Sequence, residues 1–455
     1  MIVSSAFAGK RYAVLGLARS GLATVETLLA SGADVTAWDS REEAAAQVEG
    51  RAKIADPLTI DLTGFDGVVV SPGVPLNRHP IAAHARACGV PVIGDIELFA
   101  QARASLPQHT VVAITGTNGK STTTTLVHHI CAAAGLPTVM GGNIGLPVLG
   151  QPPLPAGGVY VLELSSYQID LTYSLEADIA AFINLSPDHL DRYDGYEGYG
   201  ASKARLFSMQ RADQFSVFGC GDADTLRIAA DVSAQRPAGN VEVVDPAALE
   251  GQALWPSLQG PHNLQNAAIA VAIARKLGIA EDVWRAALAS FAGLPHRMER
   301  VAEANGVLFI NDSKATNPAS TAPALGAWPR VHWIVGGLPK SDDLDACAPY
   351  FSHVVQAYTI GEAGPRFAEL LEPVMPVQRS EMLCDAVRQA MDAAVPGDVI
   401  MLSPACASFD QFRDFEARGD SFRQIVAALI EDASAPCPEQ PCPEQPRPDV
   451  SGRSA

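Results

Sequence analysis

Basic charge is what this chain most lacks. Against 50 Asp and Glu it carries 32 Lys and Arg, a formal net charge of −18, which argues against nucleic acid and other polyanions as partners. Any anionic ligand must be captured by local cations and backbone N–H groups against the overall field. No apolar run approaches the ~18 residues of a membrane span, and Met1 to Lys10 has no basic segment followed by an apolar one. The expectation is a cytoplasmic protein with no membrane insertion. The 8 cysteines show no Cys-x-x-Cys spacing, so reduced, buried thiols are expected rather than a metal or redox motif.

What is present is an ordinary globular balance, 48% hydrophobic and 18% charged over 455 residues. That length exceeds a single core and suggests about three domains. The chain is organised around Thr115-Gly116-Thr117-Asn118-Gly119-Lys120-Ser121-Thr122. An apolar run, Val111 to Ile114, reads as a buried strand before it, and Thr123 to Ala134 has a helical pattern after it. Strand, glycine turn and helix make a phosphate cradle. The glycines let backbone N–H groups face an anion, and the helix start adds its free N–H groups and positive dipole end. Lys120 is then placed for the β- and γ-phosphates and Ser121 for Mg²⁺. The spacing is G-x-x-G-K-S, with Ile114 where the longer loop has its first glycine.

The chain divides into three blocks and a tail. Residues 1–97 open with a strand (Tyr12 to Leu15), a glycine turn, a helix and a second strand ending at Asp39, a Rossmann-like βαβ unit. Ala18 stands where an NAD fingerprint has its middle glycine, so a nucleotide diphosphate on the helix N-terminus fits better than NAD. Gly67 to Val70 is a further buried strand, running into Ser71-Pro72-Gly73. Residues 98–293 hold the phosphate loop, the glycine turn at Asn143, a strand ending at Glu163, and the polar cluster Ser186-Pro187-Asp188-His189-Leu190-Asp191. Lys203 follows on a helix, and Asn263 and Asn266 share one face where an Ala-rich helix, read over Ala267 to Leu277, begins. Residues 294–432 repeat strand-then-polar-turn units at Asn311-Asp312-Ser313-Lys314, at Gly336-Gly337-Leu338-Pro339-Lys340 and at Ser403 to Phe412. The expected fold is therefore α/β in three domains: a Rossmann-like first, a central P-loop-type ATPase domain with a mostly parallel sheet, and a Rossmann-like third. Residues 433–455, with Cys-Pro-Glu-Gln-Pro twice, read as a disordered Pro-rich tail.

Taken together, T-G-T-N-G-K-S-T, G-G-N-I-G, L-E-L-S-S-Y-Q, N-L-S-P-D-H-L-D-R-Y, N-D-S-K-A-T-N and L-S-P-A-C-A-S-F-D-Q-F resemble the Mur ligases of peptidoglycan synthesis over residues ~10 to 425. The phosphate loop is shared with folylpolyglutamate synthases. N-D-S-K-A-T-N resembles the D-glutamate-adding members. The resemblance implies an ATP-dependent ligase acting through an acyl phosphate on UDP-N-acetylmuramoyl-L-alanine and D-glutamate, as a monomer. It implies ATP contacts at Gly116 to Thr122, Asn263, Asn266, Arg297 and Asp312. One Mg²⁺ would be held through Ser121 and Glu163, and a second through His189 and Lys203, the lysine carrying CO₂ as a carbamate. Lys120, His189 and Lys203 would be catalytic. Ser20, Ser40, Arg41, Ser71, Gly73, Asn143 and His189 would hold the UDP-linked substrate, and Lys314, Thr316, Lys340, Ser408 and Phe415 the D-glutamate. A partner-binding NTPase switch and an NAD-dependent enzyme are the alternatives. The first needs the ordinary loop spacing, the second a glycine at Ala18.

Overall fold

A computed structural model describes residues 1–188 and 192–434. Three sheets follow one another along the chain. The first contains β1 (Arg11–Leu15), β2 (Asp34–Trp38), β3 (Lys53–Ile54), β4 (Gly67–Val70) and β5 (Val92–Ile93) in the order β3-β2-β1-β4-β5, all parallel. Strand order reverses between β1 and β4, which opens a crevice at their C-terminal ends.

The second sheet contains β6 (His109–Thr115), β7 (Thr138–Gly142), β8 (Gly158–Glu163), β9 (Ile179–Phe182), β10 (Phe215–Phe218) and β11 (Val241–Val243) in the order β11-β10-β9-β6-β8-β7, again all parallel. Val111 to Thr115 and all of β8 and β9 are buried, because helices cover both faces, and such strands read as unbroken apolar runs. Register pairs Ile114 with Glu163 and Thr115 with Phe182. The polar residues that follow these strands therefore emerge side by side.

The third sheet contains β12 (Glu299–Ala304), β13 (Val307–Asn311), β14 (Val331–Gly336), β15 (Val354–Ile360), β16 (Val377–Glu381) and β17 (Val399–Leu402), in the order β12-β13-β17-β14-β15-β16. Only β12 is antiparallel to its neighbour. It is an edge strand whose residues are all partly or fully exposed, and the sequence reading, which looked for apolar runs, did not include it.

The first two sheets share one apolar core: Tyr12 and Val14 of β1 belong to the same cluster as Val111, Ala113, Tyr160 and Leu162, and Phe99 of the helix Asp95–Ala102 belongs to it too, its ring 5.0 Å from that of Tyr160. The third sheet has cores of its own, one on each face. Two helices begin earlier than their patterns suggest, at Lys120 and at Pro261, and the last helix continues to Ser434, so the boundary drawn at 433 falls inside it. The tail from 435, with Cys437 and Cys442, lies outside the described residues. Among the described residues, Cys88, Cys131, Cys220, Cys347, Cys384 and Cys406 are all free thiols, and no helix is long and apolar enough to cross a membrane.

Candidate active site

The turn after β6 is held open by its glycines. Gly116 and Gly119 adopt φ of +149° and +86°, and a Cβ on Gly119 would overlap the Asn266 side-chain oxygen. Gly119 caps the helix Lys120–Ala133 without a side-chain hydrogen bond, which leaves the first-turn N–H groups for an anion. Asn184, just after β9, fixes the loop: its Oδ1 accepts from the Asn118 N–H at 2.9 Å and its carbonyl from the Thr117 N–H at 2.9 Å. Lys120 Nζ donates to the carbonyls of Gly116 (3.0 Å) and Thr117 (2.8 Å). Burial lowers its pKa, and Glu163 partly offsets that.

Glu163, at the end of β8, is 1% exposed. Its Oε1 accepts from Asn143 Nδ2 at 2.7 Å, while Oε2 is buried with no hydrogen-bond partner. Lys203 lies beneath the loop, 1% exposed, donating to the Gly116 carbonyl at 2.9 Å with its ammonium 4.6 Å from the Tyr199 ring centroid. Desolvation, followed by repulsion from Lys120, pushes its pKa well below the usual lysine range.

The third block enters through residues 296–298, where His296 and Met298 take left-handed φ of 61° and 49° around Arg297. Such conformations cost of order 1–3 kcal/mol each, and here they turn the Arg297 guanidinium onto Ser121 Oγ at 2.8 Å, joining third block to phosphate loop. Asp312, following β13, accepts from the Met298 N–H at 3.1 Å and from Ser403 Oγ at 2.9 Å. Its burial raises its pKa to about 7. The Lys314 ammonium sits 3.9 Å from the Phe415 ring centroid, and burial lowers its pKa to about 8.

These residues surround one cavity of about 1210 Å³, lined by Thr117 to Thr122, Asn143, Glu163, Asn263, Asn266, Arg297, Asp312, Lys314, Thr316, Lys340 and Phe415. Lys120, Arg297, Lys314 and Lys340 give it cations from two blocks inside a chain of net charge −18. Cations gathered this way suit several anionic groups brought together.

Three family models match in order: a MurD-like N-terminal domain over 10–94, a Mur ligase middle domain over 114–238 and a Mur ligase glutamate ligase domain over 296–406. The UDP-N-acetylmuramoylalanine–D-glutamate ligase of Novosphingobium aromaticivorans is 82% identical over 96% of this chain and 99% of its own length. The chain belongs to the Mur ligase family. The ligase of the same name from Sphingopyxis alaskensis is 60% identical over 94% of this chain and 100% of its own. The fold is also that of the MurF ligase of Thermotoga maritima solved with ADP, at a TM-score of 0.59 and 14% identity over 95% and 98% of the two chains.

Within this Mur ligase the residues singled out from sequence fall into distinct places. Gly116, Lys203 and Ser408 are not among the residues that line the cavity, and His189 lies outside the described residues. Ser20, Ser40, Arg41, Ser71 and Gly73 lie away from the cavity, which the first block reaches only at Arg19 among the described residues. The crevice of the first sheet holds them. Asp39 Oδ2 accepts from the Leu17 N–H at 2.7 Å, and the Arg41 guanidinium pairs with the same carboxylate, holding it down to about 2. Ser71 Oγ donates to the Gly16 carbonyl at 3.0 Å. His262, Gln265, Tyr350 and Glu416 also line the cavity. Sequence reading gave them no role, and the neighbours Asn263, Asn266 and Phe415 were the available signal.

Proposed function

We propose that this chain is the ATP-dependent ligase that adds D-glutamate to UDP-N-acetylmuramoyl-L-alanine through an acyl phosphate, giving ADP and phosphate, in peptidoglycan precursor synthesis. It works as a monomer in the cytoplasm. The carrying observation is the cavity in which the phosphate-loop lysine meets the cations of the third block, and the full-length likeness to D-glutamate ligases supports it.

The alanyl carboxylate attacks the γ-phosphate, ADP leaves, and the D-glutamate amine then displaces phosphate through a tetrahedral intermediate. Each step brings negative groups together, so the protein's contribution is charge placed in advance. Gly116 to Thr122 cradle the triphosphate, Lys120 moves from the loop carbonyls to the phosphates, and Arg297 stabilises the transferring group. Asn263 and Asn266 take the adenine side and Asp312 the ribose. In the third domain, 294–432, Lys314, Thr316, Lys340, Ser408 and Phe415 hold D-glutamate. In the first, 1–97, Ser20, Ser40, Arg41, Ser71 and Gly73 hold the UDP, with Asn143 and His189 of the central domain, 98–293, nearer the reacting end.

Glu163 and Ser121 fit one Mg²⁺. Oε2 is a buried, unpartnered carboxylate oxygen, and Mg²⁺ takes one or two protein oxygens with phosphates and water completing its shell. A bound ion supplies charge neutralisation between carboxylate and triphosphate. Among the described residues no three His, Cys, Asp or Glu converge as a preformed metal cluster, and we assign the second ion to His189 and a carbamylated Lys203. The lowered pKa of that amine supports the modification, since only the unprotonated form adds CO₂, and the product is an anionic oxygen ligand.

Phosphate release from ATP tests the proposal. It should require both UDP-N-acetylmuramoyl-L-alanine and D-glutamate, and release without either, or equal use of L-glutamate, would overturn it. Lys203→Ala should lose most activity and regain part of it with an added short carboxylate.

A further inference from the structure

Lys203 is one end of a continuous run of ring and side-chain contacts whose other end touches the first block. Lys203 and Tyr199 are four residues apart on the helix Gly195–Ser208 and so share a face, with the ammonium 4.6 Å from the ring centroid. The Tyr199 ring meets Tyr193 at 5.5 Å and 54°. Tyr193 stacks on Tyr167 at 6.0 Å and 14°. The Arg192 guanidinium caps Tyr167 at 4.3 Å and reaches the carbonyls of Val74 (3.2 Å) and Pro72 (3.5 Å). Asp170 braces the middle, accepting from Tyr193 Oη at 2.9 Å and from Ser202 Oγ at 2.7 Å. The Pro72–Val74 turn contains Gly73 and adjoins Ser71, whose hydroxyl holds the Gly16 turn.

We infer that Arg192 and Tyr167 are positioning residues that tie the Ser71–Val74 turn of the first block to the orientation of the Lys203 side chain. Neither was assigned a role by the sequence motifs. The Arg192 guanidinium attracts the face of Tyr167 at the outer end, and the Lys203 side chain lies against the Tyr199 ring at the inner end, so the run of contacts holds the two blocks at a fixed offset. Arginine is required at the outer end, because a planar guanidinium stacks on a ring and offers in-plane N–H groups to carbonyls at the same time. A lysine ammonium is a compact donor and cannot reproduce both.

The inference rests on the proposed roles of Lys203 and of the Ser71–Gly73 turn. Its test is a steady-state comparison of Arg192→Gln, Tyr167→Leu, Tyr167→Phe and the double variant Arg192→Gln/Tyr167→Leu in the full chain. Thermal melts confirm that each is folded, and Arg192→Lys replaces any glutamine variant that is not. The expected result is a roughly tenfold higher KM for UDP-N-acetylmuramoyl-L-alanine in Arg192→Gln, with KM for ATP changed less than about twofold. Tyr167→Leu should lower kcat, Tyr167→Phe should keep it, and the double variant should lose no more kcat/KM for the UDP substrate than about the larger single loss in kcat/KM, as for groups acting as one unit. A folded Arg192→Gln with unchanged KM for the UDP substrate would overturn the inference. So would single effects that multiply independently, or Tyr167→Phe as damaging as Tyr167→Leu. Absence of D-glutamate-dependent phosphate release in the unmodified chain would instead overturn the proposed function.

Discussion

Asp312→Asn should make the protein more stable in alkaline than in acid solution relative to the unmodified chain. The Asp312 carboxyl is buried and raised from 3.8 to about 7, chiefly by desolvation, with Ser403, the Met298 N–H and Arg297 pulling the other way. Below pH ~4 folded and unfolded chains both hold this proton, and the site costs nothing. Between pH ~4 and ~7 the unfolded chain ionises while the folded one does not, so stability falls as pH rises. Above ~7 the loss is complete, and at about 1.4 kcal/mol per pH unit it reaches about 4 kcal/mol. An amide does not titrate and is free of this slope. The Ser403 hydroxyl keeps a partner, since Thr321 Oγ1 lies 3.2 Å away. The assay is urea unfolding of the third-domain transition at pH 5 and pH 8. The gain from Asp312→Asn should be about 2–3 kcal/mol larger at pH 8 than at pH 5, while KM for ATP rises through the loss of the proposed ribose acceptor. Equal gains at the two pH values, or a loss at pH 8, would refute the reasoning.

Lys314, at about 8, is charged below that pH and neutral above it, so KM for D-glutamate should climb up to about tenfold per pH unit beyond ~8, and a flat profile to pH 9.5 would count against its role. Gly119→Ala places a methyl at φ +86° against Asn266. The backbone strain alone costs about 1–2 kcal/mol, and ATP binding should weaken by at least about tenfold by calorimetry. Glu163→Gln keeps an oxygen for Asn143 but removes the carboxylate. The half-saturating Mg²⁺ concentration should rise and kcat should fall by about 10²-fold or more, whereas unchanged Mg²⁺ dependence would remove Glu163 from that role.

Much of the fold was legible because parallel strands buried on both faces leave unbroken apolar runs such as Val111 to Ile114 and Gly67 to Val70, and polar residues must wait until the strand ends. The placement of Glu163 and Asp312 at strand ends, and of Lys120 beyond the glycine turn that follows one, was readable for that reason. The antiparallel edge strand β12 was not, since Glu299 to Ala304 mixes charged and small residues without an apolar run and has no buried residue. Helix starts were read late at Thr123 and Ala267 because the first turns there carry hydroxyls and amides that face the cavity instead of the core. Lys203 reads as a surface lysine in its local sequence. Its burial comes from the Gly116 carbonyl and the Tyr199 ring, and the first of these partners lies 87 positions away in the chain, so no local pattern announces it.

The common core beneath the first two sheets determines how this chain can be cut. A fragment ending near residue 97 would keep Tyr12 and Val14 but lose Phe99, Val111, Ala113, Tyr160 and Leu162 of the same apolar cluster, and it should be recovered as insoluble material. A fragment ending near 293 keeps that interior whole and should be obtained as a soluble, folded piece. The gene can therefore be shortened from its 3′ end by one complete unit, but it has no comparable breakpoint between the first and second sheets of what remains.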